Sequence, residues 1–326
     1  MKTLYPLKFH PILKDKIWGG ARLKNILNKP TISDKCGESW EISAVQGNIS
    51  KVKNGFLAGN NILELTEIYM GDLVGDKIYD RFGIEFPLLI KFIDANDILS
   101  VQVHPDDELA MERHKAYGKT EMWYIIEAEK NAELICGFNR KMDKETYLSH
   151  LNNKTLKEIL NFEKVKAGDV FFTPSGRVHA VGAGILLAEI QQTSDITYRI
   201  YDWDRIDDKG KPREMHTELA LDAIDLKFYG NYRTDYKLSL NQTINIADCK
   251  YFTTGLLYFD KPVEKEYSLI DSFVIYMCLE GKIDIKYGLG LSESMVAGET
   301  VLIPASLKNL NLVPAGKAKT IEVYVK

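Results

Sequence analysis

A turn and strand, Ala167-Gly168-Asp169 followed by Val170-Phe171-Phe172-Thr173-Pro174, return about 130 positions later as Ala297-Gly298-Glu299 followed by Thr300-Val301-Leu302-Ile303-Pro304. In each copy a tight turn feeds a short β run that stops at proline, which cannot continue a hydrogen-bonded ladder. Upstream of each stands an apolar strand and a turn, Tyr124-Ile125-Ile126-Glu127-Ala128 and Tyr276-Met277-Cys278-Leu279-Glu280-Gly281. The repeat therefore predicts two related β units, each a small barrel of the jelly-roll kind. The copies differ where chemistry would sit. The first continues to His179, the second reaches Asn309 at the same offset, and the second unit contains no histidine.

Other strand signals agree with a mainly β chain. Phe86 to Ile93, Met122 to Ile126, Asp169 to Thr173 and Phe273 to Cys278 are short, β-branched or aromatic, and bounded by Gly, Asp or Pro. Helical patterns are local: Leu63 to Met70, Asp106 to Tyr117, Asp143 to Leu160 and Glu214 to Ala223. The charged Gly/Pro stretch Asp207-Asp208-Lys209-Gly210-Lys211-Pro212 marks a boundary. The expected division is residues 1–212 as a metal-binding unit with N-terminal strands and a short helical insert, 213–230 as a helical connector, and 231–326 as a second, metal-free unit.

With 42 Lys and Arg against 46 Asp and Glu, and a net charge of −4 over 326 residues, the chain carries no nucleic-acid or acidic-membrane footprint. An anionic substrate would need a local basic pocket. No apolar run approaches a membrane span, and the N-terminus lacks the apolar core of a signal peptide, so a cytoplasmic protein is expected. Cys36, Cys136, Cys249 and Cys278 have no metal-site spacing and read as buried thiols.

The site signal is the segment Leu99-Ser100-Val101-Gln102-Val103-His104-Pro105-Asp106-Asp107, where apolar and polar residues alternate strictly. With a strand period of two, one face packs into an apolar layer while the other presents hydroxyl, amide and imidazole together. Burying such a row is costly unless something pairs with it, and a metal ion is a suitable partner. Glu121, after Gly118-Lys119-Thr120, and His179 complete a set of two imidazoles, a carboxylate and the Gln102 amide oxygen. These nitrogen and oxygen donors suit zinc or a neighbouring divalent ion with positions left open for substrate. His114 and His150 in charged helical patterns, and His216 at a helix start, read as solvent-facing.

These residues resemble the zinc-dependent type I mannose-6-phosphate isomerases, or phosphomannose isomerases, of the cupin superfamily. The resemblance runs from Ile17-Trp18-Gly19-Gly20 and Gly37-Glu38-Ser39-Trp40-Glu41 through Phe86 to Asp107, Lys119 to Glu121, His179, and Ser194 to Arg205. It implies two cupin-like jelly-roll barrels with a few connecting helices, and one Zn2+ per chain on Gln102, His104, Glu121 and His179. It implies Ser100 and Lys91 near a sugar phosphate, Lys119 beside the metal, and Arg199 as an essential residue. Glu189 matches an acidic position of the family's pocket. Arg205 offers a second cation where family members often carry lysine, and Trp18 and Trp40 stand as candidate wall residues.

The expected activity is interconversion of mannose 6-phosphate and fructose 6-phosphate through an enediol, by a monomer or weak homodimer acting on a small molecule. Glu189, Lys119 and Arg199 are the candidates for moving the proton or stabilising its charge. Action on another sugar phosphate, or non-catalytic sensing of one, is the alternative. An iron or manganese oxygenase would share the two histidines and carboxylate, but Gln102 and the ring of Lys and Arg speak against it.

Overall fold

The computed structural model describes residues 3–206 and 210–326. Asp207, Asp208 and Lys209 of the expected boundary loop lie outside the described residues. The chain folds mainly as antiparallel β-sheet with few helices. In the first unit, six strands lie in the order Ile12–Gly20, Cys36–Ile42, Leu88–Ala95, Ile185–Gln192, Glu121–Ala128, Val170–Thr173. Facing them are five, in the order Tyr198–Tyr201, Val101–Val103, His179–Ala180, Glu133–Phe138, Leu160–Lys164.

The second unit repeats this plan. Val170–Thr173 pairs with Glu121–Ala128, whose other neighbour is Ile185–Gln192; Thr300–Ile303 pairs with Val274–Glu280, whose other neighbour is Ala318–Tyr324. Gly168 and Gly298, in the two repeated turns, have φ of +90° and +86°. Only glycine adopts that backbone without steric cost, which is why both copies keep it. Leu7–Lys8, from the start of the chain, crosses over to pair with Thr300–Ile303. It thereby covers what would otherwise be an open sheet edge of the second unit.

Because both faces of the first six-stranded sheet are covered, its strands carry apolar residues on both. In Leu88–Ala95, Leu88, Ile90 and Phe92 enter a core shared with Phe252, Phe273, Ile275 and Ile321 of the second unit. Ile93 and Ala95 enter the interior between the two sheets of the first unit, with Leu99, Trp123 and Leu187. Lys91 has the same parity as Ile93, so a cation is delivered into that interior. Val101 and Val103 pack on the outer side with Phe138, Tyr147 and Tyr198.

Three of the four expected helices are shorter than their patterns suggest. The 143–160 pattern forms a helix only over Lys144–Asn152, then a 3-10 turn at Leu156–Glu158, and Leu160 already begins a strand. Lys154, at φ +59°, ends the helix in the left-handed region. The Leu63 pattern lengthens to Ile62–Val74, started by Asn61 and Glu64 in a reciprocal capping box and kinked at Met70, whose φ is +44°. The helix after His104 runs over Asp107–His114 with Asp106 as its cap, and the last over Thr217–Ala223.

Candidate metal centre and substrate cavity

Strand register assembles the site from both sheets. Across the five-stranded sheet, Arg199 lies opposite Gln102, and Gln102 opposite His179. Glu121 reaches toward them from the six-stranded sheet, where it pairs with Gln191 and Thr173. One ligand atom each from His104, Glu121 and His179 lie within 4.8 Å of one another, and all three side chains are buried.

The imidazoles are aimed by their second nitrogens. His104 Nδ1 lies 2.8 Å from the Ile196 carbonyl and His179 Nδ1 2.8 Å from the Arg177 carbonyl. A carbonyl only accepts, so each Nδ1 carries the proton and each Nε2 turns a lone pair inward. His179 Nε2 is 3.2 Å from Glu121 Oε1, and His104 Nε2 is 3.6 Å from Glu121 Oε2. Burial, reinforced by the Lys119 charge, pushes both imidazole pKa values down, that of His179 to about 3. Both rings are therefore neutral at physiological pH, the form that ligates metal.

Lys119 Nζ stands 3.0 Å from His104 Nε2 and 2.7 Å from Glu121 Oε2. Glu121 Oε1 is buried and accepts no hydrogen bond, an orphaned acceptor 3.2 Å from the inward-facing His179 Nε2. Lys119 offsets the charge from the Oε2 side only, and burial still outweighs it and raises the Glu121 pKa, so a further cation would be favourable there. The Gln102 amide reaches His179, with Nε2 3.3 Å from His179 Nε2, and a half-turn of that amide offers its oxygen instead. Two neutral imidazoles, a carboxylate and an amide oxygen fit a divalent ion of the zinc type.

Beside this cluster lies a cavity of about 380 Å³. Ser100, Gln102, Lys119, Lys91, Glu189 and Arg199 all line it, as do Trp18 and Trp40. A second row, across the six-stranded sheet, forms its wall: Trp40 opposite Lys91, Lys91 opposite Glu189, Glu189 opposite Trp123. Lys91 Nζ lies 2.8 Å from Glu189 Oε1 and 2.6 Å from Gln191 Oε1, and Trp123 Nε1 donates to Glu189 Oε2 at 2.8 Å. Burial by itself would raise the Glu189 pKa, but the Lys91 and Lys119 charges and these hydrogen bonds hold it low. Burial opposes the charge on Lys91 too, and Glu189 and Glu38 overcome it. The lysine expected beside a phosphate already has an internal counter-ion.

Arg205 is not brought to the cavity. Its guanidinium donates to the Ile98 carbonyl at 2.6 Å and to Asp202 Oδ1 at 2.7 Å. The second arginine lining the cavity is Arg213, also held by Asp202. Arg199 donates to the Glu214 carbonyl at 2.7 Å, while its Nε is buried without an acceptor. Lys14, Lys16 and Glu38 also line the cavity and were missed from sequence. Their signal was available: Lys14, Lys16 and Trp18 alternate along Ile12–Gly20, and Glu38 and Trp40 along Cys36–Ile42. Arg213 gave none, since it lies in no regular element.

The chain matches known proteins as follows. The family model of the phosphomannose isomerase type I catalytic domain matches residues 6–140. The mannose-6-phosphate isomerase of Streptococcus mutans is 36% identical over 309 residues, 93% of this chain and 94% of that protein. Mannose-6-phosphate isomerase ManA of Bacillus subtilis is 40% identical over 259 residues, 78% of this chain and 79% of that protein. The crystal structure of the mannose 6-phosphate isomerase from Bacillus subtilis superposes with a TM-score of 0.88 at 31% identity, covering 99% of this chain and 100% of that one.

Proposed function

The chain belongs to the type I phosphomannose isomerases, and we propose that it interconverts mannose 6-phosphate and fructose 6-phosphate through an enediol, with one zinc ion on Gln102, His104, Glu121 and His179. The observation that carries this reading is the orphaned Glu121 Oε1 in a buried carboxylate clustered with two inward-turned imidazole nitrogens, beside a cavity lined by cations. A divalent ion bound there supplies Lewis-acid polarisation of a sugar oxygen.

The chain's own groups have distinct tasks. Arg199 and Arg213, with the Ser100 hydroxyl, line the cavity and hold the anionic substrate there. Moving a proton between C1 and C2 needs a group beside the sugar that accepts and returns it. Glu189 and Lys119 are the groups in reach, and Arg199, a poor proton acceptor, stabilises negative charge. Lys91 keeps Glu189 ionised and fixed in orientation, and Trp18 contributes apolar wall.

The reading carries a first unit of residues 1–212 as the catalytic one, a connector over 213–230, and 231–326 as a metal-free unit packed against it. It also carries a cytoplasmic monomer or weak homodimer. All four cysteines are free, and no helix among the described residues is long and apolar enough to cross a membrane.

The test is a coupled assay of mannose 6-phosphate conversion before and after chelation, with zinc added back. Activity lost and then restored is the expected result. A folded, metal-loaded protein that turns over no mannose 6-phosphate overturns the reading in favour of another sugar phosphate or of sensing.

A further inference from the structure

The segment Gly118-Lys119-Thr120-Glu121 delivers two side chains to the metal centre, and every backbone N–H from Gly118 to Thr120 is held by a group outside it. Gly118 N donates to Asp107 Oδ1 at 3.0 Å, Lys119 N to the Pro105 carbonyl at 3.1 Å, and Thr120 N to Gln192 Oε1 at 2.9 Å. Gln192 N in turn donates to the Thr120 carbonyl at 3.1 Å. A Cβ on residue 118 would come within 2.6 Å of the Asp106 backbone, so only glycine allows this approach. Asp107 and Gln192 are themselves linked, Gln192 Nε2 to Asp107 Oδ1 at 2.8 Å.

The last partner in this chain comes from the other unit. Tyr251 Oη donates to Asp107 Oδ2 at 2.6 Å, across 144 residues of sequence. Tyr251 is 8% exposed and sits in the core shared by the two units. The exposed Lys250 adds a looser contact to the same oxygen at 3.5 Å.

We propose that Tyr251 is a positioning residue for the catalytic unit: through Asp107 and Gln192 it fixes the backbone that carries Lys119 and Glu121. The second unit then acts on the reaction by holding this segment, as well as by covering apolar surface. The inference rests on the proposed metal-dependent reading of the site. Its physical basis is that partners outside the ligand set orient the ligands, and that such groups tune metal affinity by tenfold or more when removed. Misplacing Glu121 by a fraction of an ångström weakens ion binding, and misplacing Lys119 slows turnover without loosening the sugar phosphate.

The experiment compares Tyr251→Phe, which deletes one hydroxyl, with Tyr236→Phe. Tyr236 also donates across the unit boundary, to the Gly168 carbonyl, but away from this relay. Three readouts are taken on the full chain: amide hydrogen exchange of the 116–122 peptide without metal, Zn2+ affinity by chelator competition, and kcat and KM separately. Tyr251→Phe should speed exchange of that peptide several-fold, weaken Zn2+ binding roughly 10-fold and lower kcat with KM within about twofold. Tyr236→Phe should match wild type in all three. Equal behaviour of the two variants overturns the proposal. An inactive wild-type protein, with exchange and Zn2+ affinity still responding to Tyr251→Phe, removes the isomerase reading and leaves the relay standing.

Discussion

His179 and Asn309 occupy the same place in the two units. Each opens a short strand flanked by two others in its smaller sheet, His179 lying opposite Gln102 and Asn309 opposite Glu266. The units diverge in what surrounds these positions. Glu322 pairs with Tyr276 in the second unit as Glu189 pairs with Trp123 in the first. There, Tyr267 donates to Glu322 Oε1 at 2.9 Å and Lys265 holds Oε2, so the buried carboxylate is satisfied from within the protein. Glu189 is satisfied in the same way by Lys91 and Trp123, and the units differ at Glu121, whose Oε1 has no such donor and whose counterpart by strand register is Val274. One scaffold thus supports a self-neutralised core in one unit and an open donor set in the other.

Glu121→Gln keeps the side-chain shape and removes its charge. Bound metal should fall from one ion per chain toward none at equimolar zinc, with activity down at least ~100-fold. Elemental analysis of the purified variant decides it, and full ion content would contradict the ligand role of Glu121.

Arg199→Ala removes the guanidinium opposite Gln102 while leaving the donor set untouched. With metal content retained, kcat/KM should drop by about 100-fold or more, the effect of losing a charge aligned with a developing anion. Activity within a few-fold of wild type would sink the assignment.

Lys91→Met strips the buried Glu189 carboxylate of its nearest counter-ion. The loss of stability should be about 3–5 kcal/mol, and adding Glu189→Gln should recover most of it, because removing both charges leaves no unpaired ion. Urea unfolding of the single and double variants reads this directly. Additive losses would contradict the pairing.

Arg205→Ala should leave KM for mannose 6-phosphate within about twofold, since its guanidinium is engaged by Ile98 and Asp202 outside the cavity. Its effect belongs to stability, about 1 kcal/mol, visible as a drop of ~2 °C in Tm. A KM increase of 10-fold or more would return Arg205 to the substrate.

Asp202 supplies a pH test. Burial alone would raise its pKa, but hydrogen bonds from Arg213 and Arg205 hold it below the ordinary carboxylate value. A depressed folded-state pKa contributes stability above the unfolded-state value, near 4, and that contribution is lost as pH falls through the folded value. Asp202→Asn should therefore lower Tm at pH 7, with the gap to wild type closing as pH falls below about 4. Calorimetry across pH 3 to 7 checks the sign, and a gap that widens in acid would contradict it.

Much of the site was legible along the chain because side-chain alternation is a local property of an extended backbone. That rule alone placed Ser100, Gln102 and His104 on one face, and it would have added Lys14 and Lys16 to the wall. The turn glycines of the repeat, forced by positive φ, likewise announced two units of one design. Which strand lies beside which has no such local signature. The pairing of Lys91 with Glu189, 98 residues apart, and the reach of Tyr251 to Asp107 follow from long-range sheet register and from packing between units. The same holds for the arginines: Arg205 and Arg213 carry the same charge a few residues apart and share Asp202, but Arg205 is also engaged by the Ile98 carbonyl away from the cavity while Arg213 lies on its wall. Sequence by itself determined which residue types share a face, since that depends on backbone geometry over a few residues. Tertiary structure decided which of them are already neutralised and which remain open to a ligand, since that depends on partners brought together from distant parts of the chain.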